Sequence, residues 1–508
     1  MKSDFLRIGS GALLAIAPVL AVRGEKPAAP ALQHPATRPN VVIILADDVA
    51  WGDIGSNGAI KTCTPHIDAL AREGVNFVNG YAAASTSTPT RYAMLTGRYA
   101  FRDGYQILPG DAPLIVPPEN LASHLREAGY ATGVIGKWHL GLGDGRLDWN
   151  GHISPSPNDI GFDYSFIIPG TVDRVPCVYV ENGRVYNHDV SAGDAPIEVD
   201  YERKVGDDPT GLENPQMQKL PWLARNHSMT IVNGIARMGW MTGGYRARWV
   251  DETIVDVMTE RAVRYVEEHA SEPFFLYFAT HDAHEPRVVN PRFEGISQCG
   301  VYGDVVAQFD YAVGRVVRAL KEAGVFDNTI LIVSSDNGPQ IREGYRDGAL
   351  ENLNGHNPYA GLRGHKYGIY DGGLKVPFIV SWPNGIEGRR VESTPVSLAN
   401  VYPTVAELAG VGFDSGQIHD ARSDASVYLG QSASGNVIYM QNAGGQVLAL
   451  RSGKWKYIEY PNGRRELYNL EVDPGEKQNL SSTAFEICAR LSDLMDVFRS
   501  AEDSPPGI

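Results

Sequence analysis

The chain has 508 residues, of which 43% are apolar and 55 are glycine, and 60 acidic residues outnumber 45 basic ones, for a formal net charge of −15. This length and composition predict a globular protein with one large domain and a smaller one. The acidic balance argues against a general nucleic-acid-binding protein, so any positive charge that holds an anionic ligand must be local.

Residues 1–24 have the pattern of an export signal. Lys2 and Arg7 precede an apolar run, residues 8–22, that is too short and too interrupted by glycine and proline to span a membrane. A buried N-terminal helix is the alternative. Residues 25–37 predict a spacer, and no cysteine follows the apolar run, so we expect no lipid anchor and a soluble protein exported to the periplasm or secreted.

Between the spacer and residue 410, short apolar runs alternate with amphipathic helical stretches, which predicts an α/β domain with a mostly parallel sheet flanked by helices. Four of these runs end in polar or ionisable residues: 40–48, 131–139, 273–284 and 328–338. Because ligands of open α/β sheets bind beyond the carboxyl ends of the strands, we expect the four polar ends to meet at one edge.

The stretch STSTPTRYAMLTGR, residues 85–98, predicts a short helix. Serine and threonine are favoured N-caps, Pro89 suits the first turn and Gly97 suits the end. Taken alone, this pattern needs no chemistry from any of the hydroxyl groups.

From residue 411 the chain reads as short strands joined by glycine and asparagine turns, including Pro-Asn-Gly at 461–463. We therefore predict a large domain over 38–410 and a smaller antiparallel subdomain with a closing helix over 411–508. The cysteines, at positions 63, 177, 299 and 488, are too few and too scattered for a disulfide framework.

Hard oxygen ligands follow two of the strands. Asp47 and Asp48 end the first run, and Asp336 and Asn337 end the last. This set, without a thiolate, suits Ca²⁺ or Mg²⁺ better than Zn²⁺. Each pair taken alone could equally cap the helix that follows.

Cationic and imidazole side chains accompany these ligands. Lys137 and His139 would project to the same side if the strand direction continued through both. His281 and His284 follow the third run, and Lys366 lies among glycines that allow close approach of the backbone to a ligand. The combined set predicts a site for a tetrahedral oxyanion, with phosphate and sulfate still open as alternatives.

From Arg38 to Leu480 the chain resembles the type I, formylglycine-dependent sulfatases of the alkaline phosphatase superfamily. The family signature, Cys or Ser followed by x-Pro-x-Arg and then Leu-Thr-Gly-Arg, stands here as residues 87–91 and 95–98. Further landmarks occur in family order: ADDVAWGDIG, TPHIDALAREG, GYATGVIGKWHLG, HEP, SSDNG, LRGHKYGIYDGG and ELYNLEVDPGEKQNL. The resemblance implies a sulfuric ester hydrolase with an alkaline-phosphatase-like sheet.

The resemblance implies that Ser87 is oxidised to formylglycine. One hydroxyl of its hydrate attacks sulfur, and the second expels sulfate by collapsing to the aldehyde. Serine in place of the cysteine of many relatives implies an anaerobic radical maturase as a partner, although a serine engineered in place of cysteine would give the same sequence.

The remaining roles implied by the resemblance fall on residues already noted. The metal is Ca²⁺, with Mg²⁺ as the alternative, and its ligands are Asp47, Asp48, Ser87, Asp336 and Asn337. Arg91 holds the aldehyde hydrate, and Lys137 and Lys366 neutralise sulfate oxygens. His139 is the base that collapses the sulfated hydrate, and His284 is the acid that protonates the leaving alcohol. His281 either contacts the substrate or is a packed polar residue.

Two insertions rich in aromatic and arginine residues, 170–189 and 233–249, resemble those of bacterial enzymes that act on sulfated galactose or N-acetylgalactosamine. They imply a sulfated-glycan substrate, with Asp173 and Arg174 as candidates for sugar-hydroxyl contacts or, alternatively, for a salt bridge within the loop. Two rival functions stay open. One is a phosphonate monoester or phosphodiester hydrolase on the same scaffold, and the other is a non-catalytic sulfated-glycan binder with Ser87 unconverted.

Overall fold

The computed structural model describes residues 38–105, 114–145, 147–412 and 420–500. The export signal and spacer expected over residues 1–37 lie outside these ranges. Within the ranges, no helix is long and apolar enough to cross a membrane. All four cysteines fall inside them and are free.

A ten-stranded mixed sheet forms the centre of the large domain. In chain order its strands are Asn40–Ala46, Val75–Phe77, Ala131–Lys137, Tyr164–Ile168, Val180–Glu181, Arg184–Val185, Phe274–Ala279, Thr329–Ser335, Phe378–Ser381 and Arg390–Glu392. The five strands in the middle of the sheet are parallel, and antiparallel pairs occur only towards its two edges. The predicted large, mostly parallel sheet is therefore confirmed.

The four strands with polar ends are immediate neighbours in this sheet. Their order is Thr329–Ser335, Asn40–Ala46, Phe274–Ala279 and Ala131–Lys137, all running the same way. Alternate residues of Asn40–Ala46 pack into two different hydrophobic clusters, because successive side chains of a strand point to opposite faces. Apolar burial on both faces leaves the carboxyl edge as the place where the polar ends meet.

Helices cover both faces of the sheet. Those described are Pro65–Glu73, Ser87–Thr96, Leu121–Glu127, Ile254–His269, Gly300–Glu322, Asp371–Leu374, Val401–Leu408, Ala425–Tyr428 and Phe485–Ser500. Small sheets pair Gly80–Tyr81 with Lys375–Val376 and Val396–Ser397, Ile231–Val232 with Ile235–Ala236, and Glu198–Asp200 with Trp240–Thr242.

The C-terminal part forms a four-stranded antiparallel sheet, as predicted. Its strands are Ile438–Gln441, Leu448–Ser452, Trp455–Glu459 and Arg465–Asn469, and the closing helix packs on it through Leu491, Met495 and Phe498. The division at 410/411 stays a prediction, and the short helix Ala425–Tyr428 still packs into the core of the large domain.

Candidate active site

Ser87 is the first residue of the buried helix Ser87–Thr96. Thr86 before it is extended, with φ −151° and ψ 162°, and Gly97 ends the helix in the left-handed conformation with φ 66°. The predicted helix is therefore present, and its glycine stop is the expected one. The Ser87 hydroxyl accepts a hydrogen bond from Lys137 Nζ at 2.8 Å, so it faces a buried cation.

Four oxygen-bearing side chains surround this hydroxyl. Asp47, Asp48, Asp336 and Asn337 are each at most 2% exposed. Ser87 Oγ lies 3.4 Å from Asp47 Oδ1 and 3.5 Å from Asn337 Oδ1. The Asn337 amide donates to Asp48 Oδ1 at 2.6 Å, and the Asp48 N–H donates to Asp336 Oδ1 at 3.3 Å. The ends of two neighbouring strands thus converge with the helix start.

Each of the three carboxylates is paired with a buried cation. The pairs are Lys137 with Asp47 at 2.7 Å, Lys366 with Asp48 at 2.9 Å and Arg91 with Asp336 at 2.7 Å. Three positive and three negative charges therefore balance, which avoids the high cost of an unpaired buried charge.

Burial and ion pairing act in opposite directions on the pKa values of these groups. Burial raises the pKa of Asp47 and lowers that of Lys137, so in this pair desolvation outweighs mutual attraction. For Asp336, burial is outweighed by Arg91 and Lys137, which hold its pKa well below the ordinary range. For Lys366, burial opposes the charge, but Asp48 raises the pKa well above its usual value. Asp336 and Lys366 are thus fixed in their charged forms.

The donor set fits a hard divalent cation. Asp47, Asp48 and His284 each offer a ligand atom within 4.8 Å of the other two, and all three are buried. Asp336 and Asn337 add carboxylate and amide oxygens beside them. Oxygen donors without a thiolate suit Ca²⁺ or Mg²⁺. His284 was not among the metal ligands expected from sequence, and it now lies within reach of this set.

His139 and His284, the two histidines with predicted catalytic roles, differ in their hydrogen bonds. The strand ends at Lys137 and His139 has φ 51°, so the strand direction does not continue to His139 as the sequence argument required. The His139 Nδ1 atom is buried and has no hydrogen-bond partner among the described residues. Burial first, and then Lys137 and Arg174, lower the pKa of His139 well below its usual value, which keeps the ring neutral. His284 Nδ1 bonds the Glu285 carbonyl at 2.6 Å.

His281 and Arg91 are both held by protein groups. His281 Nε2 lies 3.6 Å from Asp282 Oδ1. Arg91 is fully buried, and besides Asp336 it donates to the Lys137 carbonyl at 3.2 Å and to the Tyr277 hydroxyl at 3.1 Å. The hydrate-holding role of Arg91 stays a prediction. Its observed contacts connect the helix Ser87–Thr96 to the strand ends.

Asp173 and Arg174 form an ion pair near His139 and His284, the two histidines with predicted catalytic roles. Arg174 Nε lies 3.4 Å from Asp173 Oδ1, and the Asp173 side chain also accepts from His227 Nε2 at 3.2 Å. Despite burial, Arg174 and His227 hold the pKa of Asp173 well below its usual value, with a further contribution from His284. The loop salt bridge weighed from sequence exists, and it lies close enough to influence His284 and His139. His227 belongs to no recognisable motif, so sequence reasoning missed it.

The two insertions pack against each other around this pair. The Met238 N–H donates to the Asp173 carbonyl at 2.8 Å, and the Val175 N–H donates to the Met238 carbonyl at 3.1 Å. Arg237 is buried and pairs with Asp251 at 2.7 Å, and it donates to the Val172 carbonyl at 2.6 Å. Asp173 and Arg174 are therefore held by a fixed wall rather than by a free loop.

Comparison with known proteins gives a consistent result. The sequence model of the sulfatase family matches residues 39–411. An N-acetylgalactosamine-6-O-sulfatase of Bacteroides thetaiotaomicron is 45% identical over 478 residues, which cover 90% of this chain and 93% of that protein. Human arylsulfatase D is 33% identical over 78% of this chain and 70% of its own.

A solved structure agrees with these sequence matches. It comes from Bacteroides thetaiotaomicron and is described in connection with the metabolism of multiple glycosaminoglycans. It superposes with a TM-score of 0.86 at 44% identity and covers 91% of this chain and 99% of that one.

Proposed function

The chain belongs to the sulfatase family and is a sulfuric ester hydrolase, and from this premise we propose that it removes the 6-O-sulfate of N-acetylgalactosamine in glycosaminoglycans. The observation that carries the reaction is the position of the Ser87 hydroxyl, 2.8 Å from the Lys137 ammonium and beside a cluster of buried carboxylates. The 45% identity to a sulfatase named for this sugar supports the substrate.

Asp47, Asp48, Asp336 and Asn337, together with residue 87, would hold the metal, for which we propose Ca²⁺. When bound, a divalent cation polarises a sulfate oxygen and favours ionisation of the attacking hydroxyl. Formylglycine at position 87, installed by an anaerobic radical maturase, would supply a hydrated aldehyde as nucleophile. The helix that begins at Ser87 directs its amides and the positive end of its dipole towards the same point.

Lysines neutralise charge and histidines transfer protons in the proposed reaction. Lys137 and Lys366 neutralise the sulfate oxygens. His139, held neutral and with its Nδ1 unpartnered among the described residues, accepts a proton from the hydroxyl at position 87. His284, whose Nδ1 is engaged by the Glu285 carbonyl, keeps Nε2 for protonating the leaving alcohol.

The sugar is proposed to lie against the wall formed by the two insertions. Arg174 and Asp173 would form hydrogen bonds with its hydroxyl groups. His281 would be a packed polar residue of the site, paired with Asp282.

Replacing Arg174 with alanine should lower kcat/KM for the sulfated sugar about 100-fold, which matches the loss of charge-assisted hydrogen bonds. For a small aryl sulfate, kcat/KM should change by no more than about fivefold. Arg246→Ala is the matched control, because this arginine of the same wall is 70% exposed. Equal losses on both substrates would contradict the sugar contact.

A substrate panel tests the reaction itself. Matured protein should release sulfate from N-acetylgalactosamine 6-sulfate faster than from galactose 6-sulfate, an aryl sulfate or a phosphodiester. Faster turnover of the phosphodiester would favour the rival hydrolase. Binding of the sugar without sulfate release would favour the non-catalytic binder.

We also propose that the large domain and the C-terminal subdomain meet at 410/411. The protein would be exported, either to the periplasm or out of the cell. An export signal over residues 1–24, followed by the spacer over 25–37, would deliver the enzyme to where polymeric glycans are met. Detection of the protein in the cytoplasm with residues 1–24 intact would contradict this location.

A further inference from the structure

Glu343 lies beside Lys366, and none of the roles above uses it. Its Oε2 is 3.8 Å from Lys366 Nζ, and the Tyr367 hydroxyl donates to its Oε1. The Glu343 side chain is 30% exposed, whereas the Asp48 side chain, on the same ammonium, is 2% exposed. Glu343 therefore presents a carboxylate on the solvent side of a lysine proposed to neutralise sulfate.

The loop that carries Glu343 is firmly anchored. The Glu285 carboxylate accepts the backbone N–H groups of Glu343 at 2.9 Å, Gly344 at 2.6 Å and Tyr345 at 3.1 Å. Buried Arg287 donates to the Gln340 carbonyl at 2.6 Å and pairs with the carboxylate at position 347 at 2.7 Å. These bonds run along residues 340–347, so the position of Glu343 is set by the residues that directly follow His284.

The same loop reaches the wall proposed to hold the sugar. The Tyr345 hydroxyl donates to the Ala236 carbonyl at 2.7 Å and lies 3.4 Å from the Asp173 carbonyl. The Tyr345 ring lies edge-on to the His227 ring, with centroids 5.1 Å apart. The loop therefore contacts Lys366 through the Glu343 carboxylate and the wall through Tyr345, two residues further on.

A carboxylate at this point repels the anion that Lys366 attracts, and the repulsion grows when the substrate carries a second negative charge nearby. It also accepts strong, charge-assisted hydrogen bonds from neutral donors. Resting on the proposed function, we propose that Glu343 is a specificity-determining residue, which accepts a hydrogen bond from a hydroxyl or N-acetyl N–H group of the sulfated sugar and disfavours a substrate with a second negative charge beside the sulfate.

Two variants separate the acceptor from the charge. Glu343→Ala removes both, and should lower kcat/KM for N-acetylgalactosamine 6-sulfate at least tenfold more than for an aryl sulfate, mainly through KM. Glu343→Gln keeps an acceptor and removes the charge, and should raise kcat/KM for the 4,6-disulfated sugar relative to the 6-sulfated one at least tenfold. Glu351→Gln, at a 61% exposed glutamate eight residues on, should change neither ratio.

A structural role would give a different pattern. If Glu343 only positions Lys366 or Tyr367, Glu343→Ala and Tyr367→Phe would lower kcat for every substrate by one common factor and leave both ratios unchanged. That result, with the wild-type enzyme active on the 6-sulfated sugar, would overturn this inference alone. Failure of the wild-type enzyme on every sulfated sugar would overturn the proposed function and this inference with it.

Discussion

Six charged side chains meet around Ser87, and their balance explains why the site can be buried. An unpaired carboxylate or ammonium in such a place would cost several kcal/mol of folding free energy. The pairs formed by Lys137, Lys366 and Arg91 offset that cost. Lys137 and Lys366, the two cations proposed to face the sulfate, are thereby held in place before a substrate arrives.

Ser87 and Ser85 give a direct test at this scale. Ser87→Ala should reduce sulfate release at least about 10⁴-fold, because the nucleophile is lost. Ser85→Ala is the matched control, since the Ser85 hydroxyl is buried and has no hydrogen-bond partner among the described residues. Comparable activity of the two variants in a sulfate-release assay would rule out residue 87 as the nucleophile.

Residues that belong to recognisable motifs could be assigned to the site from the sequence. Residues that reach the site only through the paths of loops could not. Asp47 and Asn337 stand at strand ends within recognisable runs, so their convergence was predictable. His227 meets Asp173 across 54 residues of mostly irregular chain, and Glu343 meets Lys366 across another loop. Contacts of that kind depend on loop paths, which neither periodicity nor capping specifies.

At the scale of elements, the helix Gly300–Glu322 holds the start of the helix Pro65–Glu73. Asp310, in the middle of the first, accepts the N–H of Ile67 at 2.8 Å and of His66 at 3.2 Å. Pro65 occupies the first turn of the second helix, a position at which proline marks a helix start in a sequence. Strands of two or three residues, such as Val75–Phe77, give no such periodic signal, because so few residues cannot establish an alternation.

Asp310 also predicts a pH effect on stability. Burial raises its pKa from 3.8 to about 7, so the folded protein binds a proton that the unfolded chain has lost between these values. The resulting stabilisation is complete below the unfolded pKa and is lost as pH rises through the folded value. Asp310→Asn should therefore gain about 1–4 kcal/mol of unfolding free energy relative to wild type between pH 4 and pH 8, measured by urea unfolding.

A control on the same helix separates this effect from general pH sensitivity. Glu322→Gln, at an exposed glutamate paired with Arg318, should follow the wild-type pH dependence. A constant difference between Asp310→Asn and wild type across the pH range would contradict the buried, proton-binding carboxyl.

At the scale of the whole molecule, buried ion pairs connect the C-terminal sheet to the segment that carries Lys366. Fully buried Lys456, on the strand Trp455–Glu459, pairs with Asp371 at 2.6 Å and with Glu476 at 2.8 Å. Asp371 lies five residues after Lys366, and its N–H donates to the Glu476 carboxylate at 2.7 Å. The small sheet was predictable from its strands and turns, whereas this buried cluster between the two parts of the chain was not.

Lys456→Met should destabilise the protein by about 3–5 kcal/mol, because it leaves two buried carboxylates without their cation. It should also lower kcat by disturbing the Lys366 segment. Lys454→Met, at a 43% exposed lysine two residues away, should change neither quantity appreciably in urea unfolding and sulfate-release assays. Full stability with unchanged kcat in Lys456→Met would show that the C-terminal sheet does not support the site.

The central claim is that residue 87 becomes formylglycine and acts as the nucleophile. The mass of the proteolytic peptide that carries residue 87, from protein made in its native host, tests this claim most directly. Conversion of serine to formylglycine removes two hydrogens, so we predict a loss of about two mass units in the active protein. An unmodified serine in fully active protein would contradict the account.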